Sequence, residues 1–143
     1  MAVEDVTQDW KKAGKTGGLY VVRSTREGFE DHLRIGAGGN HGGKNGLAGR
    51  LRLHGGARPA NPDNCTLEFK PWAVVRAWTL EGWTASEIND GEHCLYRPFL
   101  IRFRRLVTER RDDSIFIVPV DAELDDLFAE AEDDLRRMEG LRA

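Results

Sequence analysis

Residues 18–38 read GLYVVRSTREGFEDHLRIGAG, and this stretch contains the pattern from which the fold can be predicted. The run LYVVRS is rich in β-branched and aromatic residues, as is typical of a buried strand. Turn-forming residues follow in REGFED, and HLRIGAG then has the length and apolar content of a second short strand. Two short strands joined by a turn segment predict a β-hairpin.

The sequence after the hairpin predicts a glycine loop and then alternating helices and strands. GAGGNHGGKNG has six glycines in eleven residues, too flexible a composition for a helix or a strand. Thr84 and Glu87 have the spacing of a capping box, which indicates a helix start. In chain order, the further predicted elements are a short helix in LAGRLRLHGG, a strand in CTLEFKPWAVVRAWTLEGW, a helix from Thr84, a strand in SIFIVPV and a terminal helix.

This order of elements predicts the fold class and the domain organisation. We expect an α/β fold of the α+β type, with a small, mixed but mainly antiparallel central sheet of three to four strands flanked by helices. A chain of 143 residues is long enough for one domain with a real core. We expect residues 1–17 to be a flexible basic lead-in, 18–120 to form the domain, and 121–143 to form an acidic amphipathic helix packed on it.

The formal net charge of −3 conceals an uneven distribution. Residues 1–111 hold 18 Lys and Arg against 13 Asp and Glu, a net charge of +5, whereas residues 112–143 hold 3 against 11, a net charge of −8. A basic body is compatible with a nucleic-acid partner. The acidic helix would repel a phosphate backbone, so we expect it to lie away from any nucleic-acid groove.

Several classes of protein are disfavoured by what the sequence lacks. No apolar run approaches the roughly 20 residues of a membrane helix, and the first residues lack the order of a secretory signal. We therefore expect a soluble, cytoplasmic protein without a membrane partner. Cys65 and Cys94 have no metal-ligand spacing, which favours two reduced structural thiols. Neither a P-loop motif nor a dinucleotide fingerprint occurs, which argues against a nucleotide cofactor.

Four positions could carry chemistry, and each also has an ordinary structural explanation. Tyr20, on the first strand of the hairpin, is compatible with a core aromatic. Arg50 and His54 are four residues apart, so a helix places them on one face, where they could reach the same phosphate or simply face water. Glu92 lies in a largely apolar helix, where its carboxylate is either functional or solvated.

Taken in order, the motifs resemble those of the GIY-YIG endonuclease superfamily across residues 18–120. The matching segments are Gly18-Leu19-Tyr20, Arg34-Ile35-Gly36, Gly46-Leu47-Ala48-Gly49-Arg50 with His54 at Arg-x-x-x-His spacing, and Glu92-His93-Cys94-Leu95-Tyr96. Arg34 stands where many members have a second catalytic tyrosine, as in a branch with a basic residue there. A two-tyrosine mechanism therefore cannot operate in this chain.

The resemblance implies a role for each of these residues. Glu92 would hold one divalent ion, Mg²⁺ or Mn²⁺, since such ions accept a single carboxylate together with water and phosphate oxygens. Tyr20 would orient the attacking water, and Arg50 would stabilise the transition state. His54 would relay a proton, and Arg34 would clamp a phosphate.

The implied function is endonucleolytic hydrolysis of nucleic acid, with DNA as the favoured substrate. We expect backbone contacts from Lys15, Lys44, Arg52 and Arg58. One alternative is a catalytically reduced module of the same fold, which binds nucleic acid or a protein partner without cleaving it. Another is an unrelated α/β domain. Both a monomer and a homodimer are compatible with the sequence.

Overall fold

The computed structural model describes residues 3–39, 46–55, 69–106 and 114–141, without the side chain of His54. The elements are, in chain order, β1 (Val3–Asp5), a 3-10 helix (Trp10–Ala13), β2 (Gly18–Ser24), β3 (His32–Gly38), α1 (Leu47–Gly55), β4 (Trp72–Leu80), α2 (Ala85–Arg102), β5 (Arg104–Arg105), β6 (Ile115–Ile117) and α3 (Asp125–Leu141). The predicted α/β class is confirmed, with helices flanking a central sheet. None of the described helices is both long and apolar enough to cross a membrane.

The described strands form one sheet in the order β1-β4-β2-β3-β6-β5, and every pairing is antiparallel. The expected count of three to four strands is therefore too low, and the sheet is not mixed. The two strands at the edges of the sheet explain the difference. β1 has three residues and β5 has two, both shorter than the runs of about four to eight residues by which strands are recognised in a sequence.

The N-terminal segment is part of the fold, so the expectation of a flexible lead-in over residues 1–17 is wrong for the residues described from Val3 onward. β1 pairs with the end of β4, where Val3 lies opposite Leu80. Val3 and Val6 are both buried, and Val6 N donates a hydrogen bond to Ala77 O at 2.9 Å. The expectation rested on the basic, glycine-rich KKAGKTGG, whereas the two valines precede it and anchor the segment to the sheet.

The predicted hairpin is present as β2 and β3. Tyr20 lies opposite Gly36 in β3 and opposite Ala77 in β4, so one large side chain has a small residue on either side. A Cβ built on Gly36 would overlap the ring and hydroxyl of Tyr20, which shows that the ring packs directly over this glycine.

The sheet separates two apolar cores. Side chains alternate along β2, so Leu19 and Val21 point to one face while Tyr20 and Val22 point to the other. The first face, the α2/α3 face, is covered by side chains of the two long helices: Ile88, Leu95, Phe99, Leu127, Phe128, Ala131 and Leu135. The second face, the α1 face, is covered by Leu47 and Leu51 of α1.

The two long helices begin and pack as the sequence indicates. Thr84 and Glu87 form the predicted capping box at the start of α2. The acidic terminal helix is present as α3 and lies against α2. Between them, Cys94 Sγ donates to Met138 Sδ at 3.4 Å, and burial raises the pKa of the Cys94 thiol, as expected for a structural cysteine. Cys65 lies outside the described residues.

Gly36→Ala is expected to destabilise the protein, because the new methyl group would overlap Tyr20 in a packed core. Overpacking of this kind costs about 1–3 kcal/mol of unfolding free energy, measurable by urea denaturation. Gly140→Ala is the matched control: a Cβ there meets no neighbour, and alanine favours a helix by up to about 1 kcal/mol. Equal unfolding midpoints for the two variants would contradict the packing of Tyr20 over Gly36.

Candidate functional site

The two tripeptides that carry the resemblance lie on neighbouring strands of the sheet, and Tyr20 of the first lies opposite Gly36 of the second. Gly18-Leu19-Tyr20 on β2 pairs with residues 36–38 of β3, and Arg34 lies two residues before Gly36 on the same strand. Alternate residues of a strand point to the same face. Arg34 therefore shares the α1 face with Tyr20, as its pairing with Ile115 of the same core also indicates.

Helix α1 holds its position through its N-terminal residues and two buried leucines. Leu47 N donates to Thr16 O at 2.9 Å, and Leu47 and Leu51 are almost completely buried against the sheet. Arg50 is half-buried on this helix. His54 lies in the last turn, one helical turn beyond Arg50, but its side chain is outside the described part of the structure.

Lys70 is a positively charged residue of this face that the sequence analysis did not identify. It is only 6% exposed, and Nζ donates to Leu53 O, near the end of α1, at 2.6 Å. Burial and the positive charge of Arg34 lower the pKa of Lys70. Arg34 and Lys70 thus both lie on the α1 face, where two cations make the local potential favourable for an anion.

No sequence pattern predicts that Lys70 is buried. The residue lies between Phe69 and Pro71, at the end of a connection rich in Pro, Asn and Asp, and such connections ordinarily run over the surface. Lysine is also among the residue types that are seldom fully buried. Only the contact with Leu53 shows where the side chain lies.

Tyr20 lies in the core of the α1 face. Its side chain is completely buried, and its hydroxyl lies over Gly36. A hydroxyl without solvent exposure is not placed to orient an attacking water. The structural explanation, that Tyr20 is a core aromatic, therefore fits the geometry better than the catalytic one.

Glu92 is carried by the helix on the other side of the sheet. Ile88 and Leu95, one turn on either side of Glu92, pack into the core of the α2/α3 face. The backbone of Glu92 thus lies across the sheet from Tyr20 and α1, and the structure does not gather all four predicted residues on one face. Among the described residues, no group of three or more His, Cys, Asp and Glu could hold a metal ion.

The predicted nucleic-acid contacts are described only in part. Lys15 and Arg52 are exposed, and Arg52 Nη2 donates to Lys11 O at 3.0 Å. Lys44 and Arg58 lie outside the described residues. On the wheel of α1, Arg52 is about 200° from Arg50, so these two arginines lie on opposite flanks of the helix.

Searches against protein-family models, curated proteins and solved structures returned no significant match to this chain. The likeness to the GIY-YIG superfamily thus rests on the motifs and on where they lie in the sheet.

Replacing Lys70 tests the pair of cations through the pH dependence of stability. Below the lowered pKa of the folded state, Lys70 is protonated in both the folded and the unfolded states, and the cost of burying its charge is fully present. As pH rises toward the ordinary lysine pKa of 10.5, the folded state loses its proton first, because its pKa is lowered. The wild type should therefore gain stability relative to Lys70→Met between pH 7 and that value.

Urea unfolding of both proteins across this pH range measures the effect. Lys12→Met, which removes an exposed lysine, controls for the loss of one positive charge. A difference between wild type and Lys70→Met that does not change with pH would contradict the buried position of Lys70.

Proposed function

We propose that this protein is an endonuclease of the GIY-YIG type that hydrolyses phosphodiester bonds of nucleic acid, with DNA as the substrate, at its α1 face. The observation that carries the proposal is that the two tripeptides lie on paired strands beneath α1, with Tyr20 opposite Gly36. This pairing gives Arg34 the same face as the helix that bears Arg50. Arg34 and Arg50 are sixteen residues apart in the sequence, yet β3 and α1, which carry them, are neighbouring elements.

The chemistry of this face suits a phosphodiester. Hydrolysis builds negative charge on the non-bridging oxygens, and positive groups fixed in advance stabilise that charge. Arg34 and Arg50 would each donate two hydrogen bonds to phosphate oxygens, as a guanidinium can. Lys70 adds a third positive charge at the end of α1. His54, one turn beyond Arg50, is the group proposed to carry a proton.

For Tyr20 we propose a positioning role instead of direct contact with the attacking water. The ring lies over Gly36, two residues beyond Arg34 on the same strand. It therefore fixes the part of β3 that holds the arginine. The phosphate-binding groups in this proposal are the cations, and none of them depends on an exposed tyrosine.

Mg²⁺ or Mn²⁺ is the cofactor that the proposal includes, and Glu92 is its candidate ligand. A carboxylate such as that of Glu92 is a suitable ligand, because Mg²⁺ is held by one or two carboxylates together with waters and substrate phosphate. The position of Glu92 does not allow one ion to be shared with Tyr20, because α2 packs on the α2/α3 face and Tyr20 lies on the α1 face. We therefore derive no step through the ion, and the proposed role of the α1 face rests on its cations.

A second candidate is a module of the same type that binds nucleic acid without cleaving it. The burial of Tyr20 and the placement of Glu92 across the sheet favour this candidate, because both residues are removed from the cationic face. The two candidates predict the same binding surface. They differ only in whether the bound strand is cut.

Arg50→Gln distinguishes these candidates. For an endonuclease, losing a group that stabilises the transition state should lower the cleavage rate about 100- to 1,000-fold, with an unchanged circular dichroism spectrum. Arg137→Gln, an exposed arginine of α3 on the other side of the sheet, is the matched control and should cleave like the wild type. Binding without cleavage by the wild type would support the second candidate. Equal cleavage by both variants would reject the assignment of Arg50.

The metal assignment is tested on plasmid DNA with Mg²⁺ or Mn²⁺, and then with a chelator. If Glu92 holds the ion, the chelator should stop cleavage, and Glu92→Gln should abolish it at every metal concentration. Asp90→Asn removes an exposed carboxylate from the same helix and should remain active. Full activity of Glu92→Gln beside a chelator-sensitive wild type would place the ion at other ligands.

A further inference from the structure

A groove lies on the flank of α1 away from Arg50. Its volume is about 730 Å³, within the roughly 300–1,000 Å³ of sites that hold small molecules or single units of a polymer. Its walls come from the segment that contains the 3-10 helix, from Arg52 and Leu51 of α1, and from the first half of β4. No described Asp or Glu is among the lining residues.

The rim of the groove combines an aromatic ring with two positive charges. Trp10 is half-buried, and Lys11 Nζ lies 5.7 Å from the centre of its ring. Arg52 Nη2 donates to Lys11 O at 3.0 Å, which holds the guanidinium beside the 3-10 helix. Lys11 and Arg52 are both exposed, and within the described ranges neither forms an ion pair.

The floor of the groove is formed by the first half of β4 and the segment that follows β1. β1 pairs only with residues 78–80 of β4, and Thr7 Oγ1 accepts from Ala77 N at 3.1 Å. The part of the chain that the structure describes has no strand paired with the outer edge of β4 over residues 72–75. Trp72 also lines the groove, but its indole Nε1 is buried and has no hydrogen-bond partner among the described residues.

We propose that this groove binds a short single-stranded segment of nucleic acid, with a base stacked on Trp10 and phosphates held by Lys11 and Arg52. A positively charged groove with an aromatic ring on its rim is how proteins hold single strands with little sequence preference. The proposal rests on the proposed function for the identity of the polymer. The groove is a different place from the proposed catalytic site, because Arg52 and Arg50 lie on opposite flanks of α1.

A single strand fits this groove better than a duplex. Bases within a duplex are stacked on one another, so an indole on the protein can stack only on an unpaired base. An extended peptide could use the open edge of β4. The charges of Lys11 and Arg52, which form no ion pair with any described residue, favour the polyanion over a neutral peptide. The groove would thus hold a strand on the flank of α1 opposite to Arg50, where the proposed function places the scissile phosphate.

The test is fluorescence anisotropy with a labelled oligothymidylate of about ten nucleotides, within the usual 4–16-nucleotide span of single-strand sites, in the presence of a chelator. Trp10→Ala should weaken binding about tenfold or more, as expected for the loss of one stacked base. Trp10→Phe should retain most of the affinity. Arg52→Gln should weaken binding and lower the salt dependence by about 0.7 in log Kd per log salt.

Lys12→Gln is the matched control, since Lys12 lies beside Lys11 but does not line the groove. It should change the affinity by no more than about twofold. A hairpin duplex of the same length should bind more weakly than the single strand. Equal affinities for wild type, Trp10→Ala and Arg52→Gln, or a preference for the duplex or for a neutral extended peptide, would overturn the proposal.

The outcome separates this proposal from the proposed function. Because the chelator is present, binding is measured without metal-dependent cleavage. Binding that depends on Trp10 and Arg52, from a protein that never cleaves, would support the groove and reject the endonuclease. Cleavage that depends on Arg50, with binding indifferent to Trp10 and Arg52, would do the reverse.

Discussion

The packing of Tyr20 between Gly36 and Ala77 is the constraint on which the rest of the structure depends. β2 has apolar side chains on both of its faces, and both faces are buried. A slip of one residue would exchange these faces, so the register is strongly specified. The large ring fits only where both neighbouring strands present small residues. The same register fixes where Arg34 lies relative to α1.

Local patterns account for the elements that the sequence predicted correctly. The hairpin follows from two short runs separated by turn residues, and the start of α2 follows from the Thr84 capping box. β1 and β5 could not be predicted in this way. Strands of three and two residues contain no period, and β1 is recognisable only by its pairing with β4, more than seventy residues further along the chain.

The residues of the candidate site likewise divide into those that local sequence patterns could place and one that they could not. Alternation along β3 is a local rule that puts Arg34 on the face of Gly36, and the spacing of Arg50 and His54 is a helical rule. The side of the sheet on which α2 packs depends on the turn after β4 and on the core that Ile88, Leu95 and Phe99 enter, which no motif encodes. The sequence could therefore place Glu92 on a helix but could not place that helix across the sheet from α1.

The acidic residues of α3 and the cations of the α1 face lie on opposite sides of the sheet. α3 contributes Leu127, Phe128, Ala131 and Leu135 to the α2/α3 face, so its acidic residues lie on the side of the sheet away from α1. The sheet and its two cores lie between α3 and α1, and at physiological salt exposed charges further apart than the Debye length of about 8 Å are largely screened. Some of this acidity is further offset within α3, where Arg136 pairs with Glu132 and Arg137 with Asp134. The net charge of the chain thus says little about the potential at the α1 face, which is set by the cations that lie there.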